Sequence, residues 1–221
     1  MNIERARFNM VEQQIRTWEV LDARVLDLLY VVRREEFVPE QWRSLAFSDI
    51  EIPLFEGAGP GERMMPPRVE ARLLQELALE PQAKVLEIGT GSGYLTALLA
   101  ARAARVVSIE INPRIAQVAA ANLARAGVTN VGLEAGNGLD GFLQQAPYDA
   151  IVLTGSVPEV PQVLLDQLMP GGRLFAVVGQ SPVMRARLLT RLGGGSHSTV
   201  DLFDTDMAPL SRAIEPSRFH F

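Results

Sequence analysis

The chain has no cysteine among its 221 residues, which excludes disulfides, thiolate metal sites and a cysteine nucleophile. It is also poor in histidine and lysine, with His197, His220 and Lys84 as the only examples. Neither histidine lies in a motif, and no spacing of His, Asp or Glu is typical of a metal site. We therefore expect a protein that binds no metal and uses no histidine base.

Two further absences concern partners. There is no cluster of basic residues and the net charge is −5, which argues against a nucleic-acid partner. No apolar run is long enough to span a bilayer, and the N-terminal residues lack the apolar region of a secretory signal. The sequence therefore predicts a cytoplasmic protein with no membrane partner, as a monomer or weak oligomer.

Three regions of the chain differ in pattern. Residues 1–80 show broken helical periodicity with a loop rich in glycine and proline over 54–67, which predicts a helical region covering a substrate site. Residues 81–180 alternate apolar strands and helices, which predicts a parallel sheet with helices on both faces. Residues 181–221 hold two strand-like stretches around a Gly/Ser turn, which predict an antiparallel hairpin and a tail that complete the same domain.

Strands and helices of the middle region can be placed more closely. Asn112-Pro113 opens a helix, with asparagine as N-cap and proline in the first turn, and Gly127 ends it. Pro170-Gly171-Gly172 predicts a turn before the last parallel strand. The predicted strands are 84–89, 105–110, 130–134, 149–154 and 173–178.

A glycine-rich loop joins the first of these strands to a helix. The segment Val85–Gly93 reads VLEIGTGSG, and such a turn lets the backbone approach a ligand at a helix N-terminus. Glu110 ends the next strand, where a carboxylate can accept hydrogen bonds from two ribose hydroxyls. The residues expected to contact this ligand are Glu87, Gly89, Thr90, Gly91, Ser92, Gly93, Glu110 and Ile111.

Details of the loop favour S-adenosylmethionine (SAM) over a dinucleotide. The dinucleotide pattern needs a small residue three positions after its second glycine, and counting from Gly91 that position is Tyr94. A carboxylate at Glu87 would repel a pyrophosphate but suits the positive amino-acid end of SAM. The alternative, a tight turn with no ligand, explains less of the pattern.

A second glycine turn follows the third strand, at Gly136-Asn137-Gly138. In a fold of this kind the position lies beside the adenine, so Asn137 and Gly138 are candidate cofactor residues, and the Asn137 amide can bond the adenine edge. An ordinary Asn-Gly turn accounts for Asn137 equally well.

Beyond these loops, the sequence from about Met10 to Leu210 resembles the protein-L-isoaspartate O-methyltransferase family. The glycine loop alone is shared by many methyltransferases, but the combination of elements is specific. The matching segments are Gln14-Ile15, Arg34–Pro39 (REEFVP), Ala46–Leu54 (AFSDIEIPL), Val85–Tyr94 (VLEIGTGSGY), Ala146–Val152 (APYDAIV) and Gln167–Leu174.

The resemblance implies a fold, a cofactor and a reaction. The implied fold is α/β, a Rossmann-like class I methyltransferase with a mostly parallel seven-stranded sheet, helices on both faces and an antiparallel C-terminal hairpin. The implied reaction is transfer of the SAM methyl group to the free α-carboxyl of isoaspartyl residues, a step of protein repair, with a protein or peptide as partner. It also implies cofactor contacts from Glu87, Gly89, Gly91, Gly93 and Glu110.

The chain departs from the family in the segment that faces the acceptor. Where the family usually reads Gly-Gln-Thr-Ile-Ser-Gln-Pro, residues 61–67 read Gly-Glu-Arg-Met-Met-Pro-Pro, so Met65 replaces a serine. The usual Gly-Asp-Gly beside the adenine is Gly136-Asn137-Gly138. These departures leave two alternatives open: a methyltransferase of the same fold with another acceptor, and a non-catalytic SAM-binding protein.

The acceptor site is expected to orient groups rather than to supply a base, because a carboxylate of pKa about 4 is already ionised at neutral pH. Arg63 is a candidate for a bidentate contact with it, or else a solvated loop residue. Asp49 can orient an acceptor amide or cap a loop. Met64 and Met65 suit an apolar wall. The last candidates follow the fourth strand, where open sheets bind ligands: Thr154, Gly155 and Ser156.

Overall fold

The computed structural model describes residues 2–213, in which helices and strands alternate over residues 67–180 and two further strands follow. A π-helical turn over Met10–Ile15 continues the first helix. The helices are α1 (Ile3–Asn9), α2 (Ala23–Val31), α3 (Pro67–Leu77), α4 (Tyr94–Ala100), α5 (Pro113–Arg125) and α6 (Gln162–Asp166). The strands are β1 (Ile52–Pro53), β2 (Arg63–Met64), β3 (Lys84–Ile88), β4 (Arg105–Glu110), β5 (Val131–Ala135), β6 (Tyr148–Val157), β7 (Leu168–Gln180), β8 (Val183–Arg191) and β9 (His197–Thr205).

Seven strands form one sheet in the order β5-β4-β3-β6-β7-β8-β9. The first five are parallel, and β8 and β9 add to the edge as antiparallel strands. This confirms the predicted Rossmann-like class I methyltransferase fold with its C-terminal hairpin. Because the strand order reverses between β3 and β6, their carboxyl ends border a crevice, which is where open α/β sheets bind ligands.

The two faces of the sheet belong to two separate apolar clusters. On β3, Val85 packs with the cluster that includes the N-terminal helices, α3, α4 and α5. Its neighbours Leu86 and Ile88 pack with the second cluster, which includes Leu164 and Leu165 of α6. Side chains of a strand alternate between faces, so these apolar strands require cover on both sides. Helices therefore lie on both faces, as predicted.

Helix α5 shows how local signals define an element. The Asn112 side chain accepts a hydrogen bond from the backbone N–H of Arg114 at 3.0 Å, and Pro113 is the first helical residue. This confirms the predicted cap. With 13 residues, α5 is the longest helix of residues 2–213, and none of the helices described is long and apolar enough to cross a membrane.

Two local predictions were wrong. The segment over 54–67 is not all loop, because β1 and β2 pair as a short antiparallel ribbon around it, with Ile52 opposite Met64. The predicted turn at Pro170-Gly171-Gly172 lies inside β7, which passes through an irregularity in its register with β6. In both places pairing with a neighbouring strand overrides the turn preference of glycine and proline. Residues 214–221 of the predicted tail lie outside the described residues.

Candidate functional site

A cavity opens at the carboxyl ends of β3, β4 and β6, at the point where the strand order reverses. It contains about 1030 Å³ of empty space, part of it open to solvent. Its wall is formed mainly by six segments from distant parts of the chain: Pro60–Met65, Ile88–Ser92, Glu110–Asn112, Gly136–Leu139, Thr154–Gly155 and Met207–Ser211.

The glycine loop forms one wall, and in it Gly89 is required by space as well as by backbone angle, whereas Gly91 is required by backbone angle alone. Gly89 has φ +92°, and a Cβ atom there would lie 2.2 Å from Oγ1 of Thr154. Gly91 has φ +58°, and a Cβ there would meet nothing within 4 Å, since it borders open space. The loop therefore leaves room for a ligand to approach the backbone closely.

Glu110 connects this loop to the start of α5. Its Oε2 accepts from the N–H of Gly91 at 3.2 Å, and its Oε1 accepts from the N–H of Asn112 at 2.9 Å. The carboxylate is buried and lines the cavity. Each carboxylate oxygen can accept a further hydrogen bond, so the position suits a ligand with two adjacent hydroxyls.

Most of the predicted cofactor residues line the cavity, but Glu87 does not. It points to the face of the sheet that α4 covers, where its Oε2 accepts from Oγ of Ser108 and Oγ1 of Thr96, both at 2.6 Å. Burial, with the nearby charge of Glu110, raises the pKa of this carboxyl to about 8. The residues that do line the cavity are Gly89, Thr90, Gly91, Ser92, Glu110, Ile111, Asn137 and Gly138.

Glu87 does not line the cavity, so its direct contact with the amino-acid end of SAM stays a prediction. The strand alternation that places Ile88 against the cavity turns Glu87 to the opposite face. Gly93 is also absent from the wall, because it stands at the N-terminus of α4. Asn137 lines the cavity, and its Oδ1 accepts from the N–H of Leu139 at 3.3 Å, so the turn uses one end of its amide.

On the acceptor side, five of the seven predicted residues line the cavity. They come from the ribbon strand β2 and its continuation, and from β6. The Thr154 hydroxyl is directed at the carbonyl oxygens of Ile88 and Gly89, at 3.0 and 2.7 Å, and so fixes the end of β3. The lining residues are Arg63, Met64, Met65, Thr154 and Gly155.

Asp49 and Ser156 do not line the cavity. Asp49 forms a salt bridge with Arg68 at 2.7 Å and accepts from its backbone N–H at 3.4 Å, which is the capping role considered above. The buried Ser156 hydroxyl donates to the carbonyl of Met207 at 2.8 Å. Both side chains are satisfied by neighbouring segments that the sequence pattern did not connect to them.

Several lining residues were missed by sequence reasoning. Met207–Ser211 returns over the end of β6, with the N–H of Ser156 donating to Ala208 at 3.0 Å, and no motif marks it. Glu70 lies on α3 and is fully buried. Here a signal existed, since an acidic residue stands beside Val69 and Ala71 on the apolar face of an amphipathic helix. Glu51 and Glu62 complete the acidic part of the wall.

The cavity wall is predominantly negative. Among the described residues it contains four glutamates, Glu51, Glu62, Glu70 and Glu110, and one basic residue, Arg63. Burial raises the pKa of Glu70 to about 7, and the nearby Arg34 opposes that rise. Such a wall attracts a ligand that carries positive charge and disfavours a pyrophosphate.

Two contacts join residues 55–62, which precede β2, to α5 and its cap. The Glu62 carboxylate accepts from Nδ2 of Asn112 at 2.9 Å. The Arg114 guanidinium lies 3.8 Å from the centre of the Phe55 ring. Both contacts join residues 50 or more positions apart, so the position of residues 55–62 depends on tertiary packing.

Comparison with known proteins gives a consistent result. The profile of the protein-L-isoaspartate(D-aspartate) O-methyltransferase family matches residues 5–213. A protein-L-isoaspartate O-methyltransferase of Methanoculleus marisnigri is 47% identical over 79% of this chain and 78% of its own length. The protein of the same name from Koribacter versatilis is 36% identical over 98% of this chain and 95% of its own.

Solved structures agree with the fold. One named protein-L-isoaspartate O-methyltransferase has a TM-score of 0.82 at 25% identity, over 93% of this chain and 66% of its own. Another, from Plasmodium falciparum and described as the same kind of enzyme in complex with S-adenosyl-L-homocysteine, has a TM-score of 0.78 at 20% identity. The match covers 96% of this chain and 99% of the other, so the likeness in fold extends over nearly the whole length of both.

Proposed function

The chain belongs to the protein-L-isoaspartate(D-aspartate) O-methyltransferase family, and we propose that it methylates the free carboxylate of isoaspartyl residues in peptides and proteins. It is a SAM-dependent carboxyl O-methyltransferase of the Rossmann-like class. The observation that carries the proposal is a single cavity in which the glycine loop and Glu110 face an arginine of the acceptor segment, Arg63.

The cofactor side of the cavity fits SAM. When bound, SAM supplies a methyl group on a positively charged sulfur. Glu110 is placed to accept hydrogen bonds from the ribose, while the open space above Gly91 admits the ligand to the loop backbone. The wall carries Glu62 and Glu110, whose negative charges favour a cationic ligand.

On the acceptor side, Arg63 is suited to bind the carboxylate that receives the methyl group. Within residues 2–213, Arg63 has Glu51 near it but no acidic group at salt-bridge distance, so its guanidinium is available for a bidentate contact. Met64 and Met65 form an apolar wall that excludes water from the reacting groups. No base is needed at neutral pH, and the chain contributes orientation.

The test is methylation of an isoaspartyl peptide, with the normal aspartyl peptide as control, read as base-labile methyl ester. Arg63→Gln should lower kcat/KM for the isoaspartyl peptide by about 10- to 100-fold, the effect of losing a charged hydrogen bond. Arg68→Gln is the matched control, because Arg68 pairs with Asp49 outside the cavity. Ester formation no higher than with the aspartyl peptide would refute the proposal.

A second candidate is methylation of a different carboxylate by the same site. The replacement of the family serine by Met65 favours it, because a thioether cannot donate a hydrogen bond. If Met65→Ser creates isoaspartyl activity that the wild type lacks, this second candidate is preferred. Intact SAM binding with no turnover on any carboxylate would instead indicate a non-catalytic SAM-binding protein.

Location and partners are part of the same proposal. We place the activity in the cytoplasm, in a monomer or weak oligomer with a damaged protein as partner. The net charge of −5 supports a protein acceptor over a nucleic acid.

A further inference from the structure

Arg34 is almost fully buried, with 1% of its surface exposed, and does not itself line the cavity. Its Nη2 donates to the carbonyl of Met65 at 2.7 Å, and its Nη1 donates to the carbonyl of Ala46 at 2.9 Å. Its Nε lies 3.4 Å from Oε2 of Glu70. One guanidinium therefore connects the acceptor wall, the segment before it and helix α3.

The same guanidinium reaches the cofactor side. It lies over the ring of Tyr94, 5.7 Å from the ring centre. Tyr94 is the first residue of α4 and directly follows the glycine loop. Arg34 thus stands between the element that carries the loop and the backbone of Met65, which lines the cavity.

We propose that Arg34 is a positioning residue that sets the acceptor segment Arg63–Met65 at its distance from the cofactor loop. Only the kinetic test of this proposal rests on the proposed function, because it measures methylation of an isoaspartyl peptide. A guanidinium is a rigid planar fork whose donors reach two carbonyls and a carboxylate together, which the single ammonium of lysine cannot do in that geometry. Displacement of a reacting group by about 1 Å can lower the rate on the order of 100-fold.

A second buried arginine in the N-terminal region provides a matched control. Arg7 has 3% of its surface exposed, forms salt bridges with Glu4 and Glu35, and lies over the Phe47 ring at 5.9 Å. It neither lines the cavity nor bonds to the acceptor segment. A change at Arg7 therefore reports what loss of a buried ion pair does to stability alone.

The experiment compares Arg34→Lys with Arg7→Lys by four measurements. These are the melting temperature, the affinity for S-adenosylhomocysteine by calorimetry, kcat/KM for an isoaspartyl peptide, and the rate at which trypsin cuts after Arg63, which is exposed. Arg34→Lys should lower kcat/KM by about 10- to 100-fold and speed cleavage after Arg63, with S-adenosylhomocysteine affinity unchanged. Arg7→Lys should lower the melting temperature without either effect.

Equal kinetics and equal cleavage in the two variants at a similar loss of melting temperature would overturn the proposal. If Arg34→Lys does not fold, Arg34→Gln, which buries no charge, takes its place. Failure of both to fold while Arg7→Lys folds would also overturn it, because the role would then be structural. If the wild type does not methylate the isoaspartyl peptide, the proposed function fails, and cleavage and cofactor affinity still decide the role of Arg34.

Discussion

The two walls of the cavity are built in different ways. The cofactor wall follows directly from successive β-α turns, and Glu110 ties it together by accepting from the N–H groups of Gly91 and Asn112. The acceptor wall combines Arg63–Met65 with Met207–Ser211, which are more than 140 positions apart. One wall is therefore built from the turns of consecutive β-α units, and the other from segments that lie far apart in the chain.

From this difference we expect the two walls to tolerate substitution differently. On the cofactor wall a change of one atom meets fixed backbone or a bonded side chain, as at Gly89. On the acceptor wall the side chains of Met64 and Met65 present apolar surface without directional bonds. Apolar packing accepts substitution of similar volume more readily than a hydrogen-bonded turn does. The departures from the family pattern are concentrated on that wall.

The largest expected effect is on the free energy of unfolding, and it differs between Gly89 and Gly57, two glycines with similar backbone angles. Gly89→Ala should lower the free energy of unfolding by about 2–5 kcal/mol, from left-handed strain and from the clash with Thr154. Gly57 lies between β1 and β2 with φ +80°, and a Cβ atom there would meet nothing within 4 Å. Gly57→Ala should therefore lower the free energy of unfolding by only about 1 kcal/mol. Urea unfolding of both variants measures this. Equal losses of unfolding free energy in the two variants would show that the cofactor wall is packed no more tightly than the loop that contains Gly57.

The second prediction concerns pH and Glu87. Because burial raises the pKa of this carboxyl from about 4.5 to about 8, the folded protein keeps a proton that the unfolded chain has released in that range. The free energy of unfolding should therefore fall as pH rises from about 4.5 to 8, by at most about 1.4 kcal/mol per unit. Glu87→Gln should reduce this slope in urea unfolding at pH 5, 6.5 and 8, and an unaltered slope would contradict it.

A smaller effect distinguishes two acidic residues of the cofactor side. Glu110→Gln should weaken S-adenosylhomocysteine binding by about 10- to 100-fold, since the charged acceptor at the cavity wall is lost. Glu87→Gln should leave that affinity nearly unchanged, because Glu87 lies behind the wall. Calorimetry decides between them. An equal loss of S-adenosylhomocysteine affinity in Glu87→Gln would support the direct contact between Glu87 and the cofactor that the sequence predicts.

The smallest change in the free energy of unfolding is expected for the contact between Arg114 and Phe55. Arg114→Gln removes the cation–π contact with Phe55 and should lower the free energy of unfolding by less than about 1 kcal/mol. Amide hydrogen exchange should nevertheless become faster over residues 57–61, while the glycine loop is unaffected. If exchange rises equally over residues 57–61 and over the glycine loop, the two walls do not open independently of each other.

Much of the fold could be predicted because its signals are local. Apolar strands, the Asn112 cap and the glycine loop each depend on neighbours within one turn or strand, and the structure places these elements within a few residues of the prediction. The roles of Asp49 and Ser156 could not be predicted this way. Their partners, Arg68 and Met207, are 19 and 51 positions away. Only the packed chain brings such groups together.

The sequence alone determined the parallel sheet, the glycine loop and the nature of the methyl donor, because these depend on strand periodicity and on residues adjacent in the chain. Tertiary structure decided which carboxylates face the ligand. It turned Glu87 away and brought Glu70 to the wall. It also decided which groups support the acceptor segment, since Arg34 meets Met65 only in the folded chain. Strand alternation puts Glu87 and Ile88 on opposite faces, and the apolar face of α3 includes Glu70, but only the packing of distant segments decides which of these faces borders the cavity.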